Sequence, residues 1–367
     1  MAKPIASNHI LRYNCAPMPG QPKNILIIKP SSLGDIVLAL PALTALRESF
    51  GQAKLTWLIR PEFAPLLENQ PDLNEIILFD RRVLGKMWYN PYAFGSLISL
   101  IKSLRRRNFD AVFDFQGLFR TASLAWLTGC KRRFGMKNAR ELAHLFYSHK
   151  VKRDADCIHV VDYYLKITRA AGAAETNARF VLSVDPAAAE SVNKLLAGEG
   201  ADVDNYAVLI PGAARSYKHW PVDRFAAVAE KLASQFHLSI IATGSAHEAG
   251  LIETLKSLAD VPITSLAGRT SLHQLAALLK NAKIAISNDT GPGHIAAAFG
   301  RPLVMIFGRS NPVRLYPYGR PECVAAVEPF ERGTAINNYE PKYDIKAVSI
   351  DEVFNKACQQ LNPPALK

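Results

Sequence analysis

Carboxylates, cations and small residues recur in this chain just after apolar runs, the place where an α/β protein exposes reactive groups. One such stretch is Ile286-Ser287-Asn288-Asp289-Thr290-Gly291-Pro292-Gly293-His294, running on into Ile295 to Gly300. It reads as the end of a buried strand, a tight turn, and a helix whose exposed start carries Asp289, Thr290 and His294. Orphan N–H groups and the positive end of a helix dipole meet there, and Gly291 and Gly293 let a ligand approach the backbone closely. The stretch suits a diphosphate; an ordinary βα turn is the alternative reading of the same spacing.

Three further loops carry groups with chemical potential. Asp35 follows Pro30-Ser31-Ser32-Leu33-Gly34 where a helix starts, so its carboxylate can cap that helix or accept a proton from an attacking hydroxyl. Ser31, Ser32 and Gly34 suit contact with a polar substrate or phosphate. In Pro211-Gly212-Ala213-Ala214-Arg215-Ser216-Tyr217-Lys218-His219-Trp220-Pro221, Lys218 can hold a phosphate as a point charge with Arg215 assisting, or it is a surface lysine with no role; Trp220-Pro221 fixes the loop. Glu248, after Gly244-Ser245-Ala246-His247, can accept hydroxyl protons from a sugar, or it is a first-turn Glu favoured by the helix dipole.

These loops need a scaffold, and alternating units supply it. Asn24 to Lys29 is a strand-type run followed by a helical pattern through Val37, Leu40, Leu43 and Leu46, and further strands are expected at 55–59, 76–79 and 111–114. A second series starts with strands at 206–211 and 238–243, continues through the 282–287 run and reaches 302–307. The expected division is an extension at 1–23, a Rossmann-like domain at 24–183, a linker region at 184–205, a second Rossmann-like domain at 206–348, and a terminal helix at 349–367 opened by the capping box Ser349-Ile350-Asp351-Glu352. Ligands of such a pair bind in the cleft at the carboxyl ends of the strands. The segment 86–94, aromatic and proline-containing, leads to a helix ending in Arg105-Arg106-Arg107; it reads as a loop over the sheet or as a membrane-surface element.

At 367 residues, with 49% hydrophobic and 21% charged residues, two cores can be buried. No run is apolar and long enough to span a membrane, and the first 23 residues lack the apolar core of a secretory signal. Five scattered cysteines without C-x-x-C spacing argue against a disulfide framework or a zinc site, and a cytoplasmic location is expected. The net charge of +12 is unevenly placed: residues 1–180 hold 26 Lys and Arg against 14 Asp and Glu, residues 181–367 hold 18 of each. The first half is therefore expected to meet something anionic. P-loop, G-x-G-x-x-G, G-x-S-x-G and H-E-x-x-H patterns are missing, which takes support from P-loop hydrolysis, standard dinucleotide binding, serine hydrolysis and zinc proteolysis. No nucleic-acid-binding motif accompanies the basic half.

Several of these stretches, in this order, resemble one family. Lys29-Pro30-Ser31-Ser32-Leu33-Gly34-Asp35 with Leu40-Pro41-Ala42-Leu43 is similar to the N-terminal signature of glycosyltransferase family 9, the ADP-heptose:lipopolysaccharide heptosyltransferases. Asp114 to Ala122, Lys218-His219-Trp220-Pro221, Gly244 to Glu248, Asp289-Thr290-Gly291 with His294, and Phe307-Gly308 with Pro312 follow in the family's order, over about 24–319. Asn138-Ala139-Arg140-Glu141 with Leu145-Phe146-Tyr147 is more similar to the heptosyltransferase I branch than to heptosyltransferase II.

The resemblance implies a GT-B fold, two Rossmann-like domains facing across a cleft, with the acceptor on the first and the nucleotide sugar mainly on the second. It implies Asp35 as the base, Lys218 as the group that neutralises the departing diphosphate, and Glu248 and Asp289 as holders of donor hydroxyls. Thr290 and Gly291 would bond phosphate, with Ser216 and His294 completing the donor side. Ser31, Ser32, Gly34, Gln116, Arg120 and Arg140 would meet the acceptor. The implied partners are ADP-heptose as substrate, a Kdo-bearing lipid A acceptor and the cytoplasmic face of the inner membrane, with no cofactor, no metal and no nucleic acid. The implied reaction is a direct displacement with inversion. Ala213 and Ala214 depart from relatives that carry threonines there, and 1–23 lies outside the pattern. A family member with another donor or acceptor, and a non-catalytic nucleotide- or anionic-glycan-binding protein, remain the alternatives.

Overall fold

The computed structural model describes residues 20–85, 89–155, 157–174 and 177–362. Most of the expected 1–23 extension, residues 86–88 of the aromatic segment and residues 363–367 lie outside the described residues.

The apolar runs form two parallel sheets. The first contains β1 (Asn24–Ile28), β2 (Lys54–Ile59), β3 (Glu75–Leu78), β4 (Ala111–Asp114), β5 (Arg133–Met136) and β6 (His149–Val151), in the order β3-β2-β1-β4-β5-β6. The second contains β7 (Tyr206–Ile210), β8 (Ser239–Ala242), β9 (Ile263–Ser265), β10 (Ile284–Asn288), β11 (Leu303–Ile306) and β12 (Val324–Ala325), in the order β12-β11-β10-β7-β8-β9. Counted from its own first strand, each sheet runs 3-2-1-4-5-6, the doubly wound order whose direction reverses between first and fourth strands. Eight strands match the expected runs. The other four, β5, β6, β9 and β12, lie at or next to sheet edges, where they are short or carry residues such as Arg133, His149 and Lys150; buried apolar runs are a property of the sheet centre.

Alternation along β1 sorts the helices. Ile25 and Ile27 face α1 (Leu33–Ser49) and α5 (Val160–Arg169), while Leu26 and Ile28 face α3 (Pro91–Arg106) and α4 (Phe119–Leu127), with the short α2 (Arg81–Leu84) packed on α3. In the second sheet, Val208 and Ile210 face α9 (Leu272–Asn281) and α10 (Gly291–Ala298). Ala207 and Leu209 face α7 (Val222–Phe236), α8 (Ala249–Leu258) and α12 (Ile350–Leu361), while α11 (Pro312–Leu315) lies beyond β11.

One apolar cluster runs through both halves, because α1 packs on α10 as well as on its own sheet. Ile36 to Leu46 are buried without interruption for this reason; a helix covered on all sides needs no polar face. The expected linker region is in large part a helix, α6 (Pro186–Gly198), which buries Val192 and Leu196 against α9. Among the described residues no helix is long and apolar enough to cross a membrane.

Candidate active site

The loop after β1 carries the first half of the site. Lys29 continues the buried strand and is only 3% exposed, with its carbonyl accepting from Trp57 Nε1 at 3.0 Å. Ser32 caps α1, and Asp35 sits three residues into that helix. Asp35 Oδ2 accepts from Ser32 N–H at 3.1 Å and from Ser32 Oγ at 2.8 Å, and it lies 3.9 Å from Lys29 Nζ. The Lys29 ammonium also stands 5.8 Å from the centre of the Tyr164 ring, contributed by α5. Burial pushes the Asp35 carboxyl up, but Lys29, the Ser32 bonds and His294 outweigh it and hold it below the usual carboxylate value. Lys29 shows the mirror balance: burial pulls it down, while Asp35 and Tyr164 bring it above its ordinary value. Both groups are charged near neutral pH. Asp35 thus caps its own helix as an ionised carboxylate, and its side chain, 35% exposed, can still be reached.

The second half comes from the loops after β7 and β10. Lys218 Nζ pairs with Asp289 Oδ2 at 2.5 Å, and His294 Nε2 lies 3.9 Å from Asp289 Oδ1. Asn288, the last residue of β10, donates to Pro211 O at 2.7 Å and accepts from Trp220 N–H at 3.2 Å, so it ties the Lys218 loop to the Asp289 turn. Burial holds His294 below its ordinary value despite the nearby Asp289 and Asp35 carboxylates; the ring is neutral, and its Nδ1 has no partner among the described residues. Thr290 caps α10 and shares a hydrogen bond with Ser287 at 3.1 Å between hydroxyls.

The two halves meet. A Cβ on Gly34 would come within 2.7 Å of the His294 ring, and one on Gly291 within 2.7 Å of Leu33. The glycines that the spacing offers to a phosphate have a packing role as well. The missing side chain at Gly291 lets the domains touch, and the one at Gly293 makes way for Met305 and Ser287. Within the first turn of α10, Gly291 and Gly293 keep N–H groups outside the intrahelical ladder, while Pro292 has none.

Glu248 sits over Gly212 and Gly244, where any Cβ would collide with its carboxylate, and it accepts from Ser245 N–H at 2.7 Å and Ser245 Oγ at 2.8 Å. The first-turn reading of Glu248 is the one observed, a cap at the carboxyl ends of β7 and β8. Ser216 lies exposed on the short turn that carries Lys218. On the first domain, Asp114 of β4 lies in register with Ile28, so the loop with Gln116 leaves beside the Asp35 loop. Buried Asp114 is pushed above its ordinary value by desolvation, and it accepts from Tyr147 OH at 2.8 Å and from Gln116 and Gly117 N–H, which fixes that loop. Arg140 N–H donates to Gly117 O at 3.2 Å, which ties the turn bearing Arg140 to the loop bearing Gln116. No contact among the described residues joins the Gln116, Arg120 and Arg140 side chains to Asp35.

Reasoning from residue types passed over Lys29, Tyr164 and Asn288 as members of the site. Lys29 and Asn288 shared a signal that could have found them: each is a buried polar residue at the carboxyl end of a largely apolar, buried strand. Tyr164 had none, since it is one aromatic among several on a helix distant in sequence.

Doubly wound domains paired at their switch points are the GT-B architecture, and the ion pairs at its centre suit group transfer from a phosphorylated donor. The chain belongs to glycosyltransferase family 9 (heptosyltransferase), whose profile matches residues 97–334. It is 28% identical over 311 residues to the lipopolysaccharide core heptosyltransferase OpsX of Haemophilus influenzae, spanning 83% of this chain and 85% of that one. With lipopolysaccharide heptosyltransferase 1 of Pseudomonas aeruginosa it shares 30% identity over 308 residues, 81% of each chain. The family 9 glycosyl transferase of Veillonella parvula superposes with a TM-score of 0.78 at 22% identity, covering 92% of this chain and 97% of that one. E. coli heptosyltransferase WaaC, solved with ADP-2-deoxy-2-fluoro heptose, gives 0.71 at 26% identity, covering 90% and 98%.

Proposed function

We propose that this chain is an inverting heptosyltransferase that moves heptose from ADP-heptose to the Kdo of a lipopolysaccharide inner-core acceptor, working at the cytoplasmic face of the inner membrane. The observation that carries the reading is the opposition of Asp35, held ionised by Lys29 and Ser32, to the Lys218–Asp289–His294 group across the domain contact. Among the described residues every bond to the Asp35 carboxylate falls on Oδ2, so Oδ1 is the oxygen for an acceptor hydroxyl.

In the proposed reaction Asp35 takes the hydroxyl proton, the oxygen attacks the anomeric carbon opposite the diphosphate, and the sugar–phosphate bond breaks. Lys218 exchanges Asp289 for the leaving diphosphate, and the start of α10 supplies backbone N–H groups, so the charge is met without a resident metal. Asp289 and Glu248 hold donor hydroxyls. Similarity to proteins called heptosyltransferase 1, at 27–30% identity, supports the Kdo acceptor. The second reading, a family member with another donor or acceptor, is favoured by relatives called heptosyltransferase 3 and 2, at 26% and 27%.

A transfer assay with ADP-heptose and Kdo-bearing lipid A, set beside an acceptor already carrying heptose, separates the two readings; product only from the latter would sink the first. Asp35→Asn is expected to lower turnover by about 10²–10⁴-fold while ADP binding by calorimetry holds. Unchanged turnover would remove the base assignment, and preference for UDP or GDP over ADP would change the donor.

A further inference from the structure

The layer formed by α3 and α4 covers the face of the first sheet turned away from α1 and the second domain, and its outer side is unusual for a solvated surface. Tyr92, Phe94 and Ile98 of α3 and Phe119 and Trp126 of α4 are exposed, Tyr92 to 77% and Trp126 to 54%. Asn90 starts α3 by accepting from Tyr92 and Ala93 N–H, so Tyr92 stands at a well-defined helix end rather than in a loose loop. Phe119 and Trp126 both meet the edge of Phe146, which makes the aromatic surface continuous with the turn bearing exposed Leu145.

Charge accompanies these rings. Between residues 81 and 109 there are seven Lys and Arg and no Asp or Glu; between 115 and 140 there are six and none. Set against a net charge of +12, these two segments account for the whole excess of the chain. Lys102, Arg105 and Arg106 are on the exposed face of α3, and exposed Lys131 follows α4. The far ends of both helices border a depression of about 550 Å³ in which Arg105, Lys131 and Arg132 outnumber the one acid, Asp110, and which is wide enough for a phosphate headgroup.

We infer that this α3–α4 face docks on an anionic lipid bilayer, its aromatic side chains entering the headgroup region and its cations meeting lipid phosphates. Exposed aromatics interleaved with Lys and Arg, with cations well in excess of the bordering acids Asp110 and Glu141, match the interface between headgroups and water. A solvated face would carry both signs of charge, and a protein-binding face would be depleted in lysine at its centre. The inference rests on the membrane-side reading proposed above, and it adds which face makes the contact. The loop with Gln116 opens directly into α4, so a bilayer lying along this layer brings a lipid-anchored acceptor to the first domain's side of the cleft.

Flotation of the full chain with vesicles tests this without donor or acceptor, so its failure is separate from failure of the transferase reading. The chain is expected to float with vesicles containing phosphatidylglycerol and not with pure phosphatidylcholine. Removing each cation should weaken partitioning about fivefold, so Lys102→Gln/Arg105→Gln/Lys131→Gln is expected to lose about a hundredfold. Tyr92→Ser/Trp126→Ser should release the chain while its melting temperature and ADP binding stay as in the unsubstituted protein. Equal flotation with both lipids, or of both variants, would overturn the inference. So would a concentration-dependent dimer in light scattering that Tyr92→Ser/Trp126→Ser abolishes, since the face would then be an interface between copies.

Discussion

Lys29→Met removes a buried cation from beside the proposed base and nearly preserves its volume, so its effect on the reaction can be worked from the geometry. At 3.9 Å the attraction between Lys29 and Asp35 is about 4 kcal/mol at an effective dielectric of 20. That equals about 3 pKa units at ~1.4 kcal/mol each. Asp35 is 35% exposed, so water screens the pair and about 1–2 units remain. With the cation gone, burial acts against the Ser32 bonds and His294 only, and the carboxyl moves up from its position below the usual range.

The sign follows from the base working as carboxylate. In the unsubstituted chain, activity governed by Asp35 persists as pH falls until the depressed native value is reached. In Lys29→Met the acid limb of kcat/KM is expected about 1–2 units higher. Stability moves in parallel: a depressed carboxylate adds stability above its unfolded value and loses it as pH falls through the native one, and the variant lacks that acid loss. The assay is the pH profile of kcat/KM beside thermal melts across the same range. Tyr164→Phe keeps the ring and the ion pair and should leave the limb in place. An unmoved limb in a folded Lys29→Met that binds ADP normally would refute the electrostatic account of Asp35.

Lys218→Ala removes a charge-assisted contact of about 1.5–3 kcal/mol and leaves buried Asp289 facing a diphosphate, so calorimetry should show ADP binding weaker by about ten- to a hundredfold, partly recovered by adding Asp289→Asn. Equal affinity would remove Lys218 from the donor side. Gly291→Ala places a methyl 2.7 Å from Leu33 and should cost about 1–3 kcal/mol of stability, restored by Leu33→Ala. A melting temperature unaffected by Gly291→Ala would mean that the domains do not meet there. His159 uses both ring nitrogens, Nδ1 accepting from Val161 N–H and Nε2 donating to Tyr316 O, and burial lowers its pKa to about 4. Its depressed value means stability is held above about pH 6.5 and lost as pH falls toward 4, about 3 kcal/mol in all. His159→Gln should flatten that part of the stability profile, measured by denaturant titration at each pH, and an unchanged slope would show that other groups control it.

The order of the elements was legible in the letters because strands buried on both faces must be apolar throughout. Asn24 to Ile28 and Ile284 to Asn288 therefore announced themselves, and the polar groups at their ends fell at the switch points where doubly wound sheets bind ligands. Helix starts were equally local: Asp35 beside Ser32 and Glu248 beside Ser245 interact across three residues, a distance that spacing alone reveals. Edge strand β6 escaped because solvent relaxes its demand for apolar residues, and β12 because it is only two residues long.

Only the tertiary structure decided who meets whom. Lys218 and Asp289 are 71 positions apart, and their pairing exists because β7 and β10 are neighbours. Lys29 belongs to the site because the fold buries it next to Asp35, and Gly291 is small because Leu33 of the other domain fills the space. The aromatic and basic residues of α3 and α4 were visible as letters, yet their common outward face follows from which side of the first sheet each helix covers. Local patterns are written in the chain because their physics spans a few residues; partners across a cleft are set by packing.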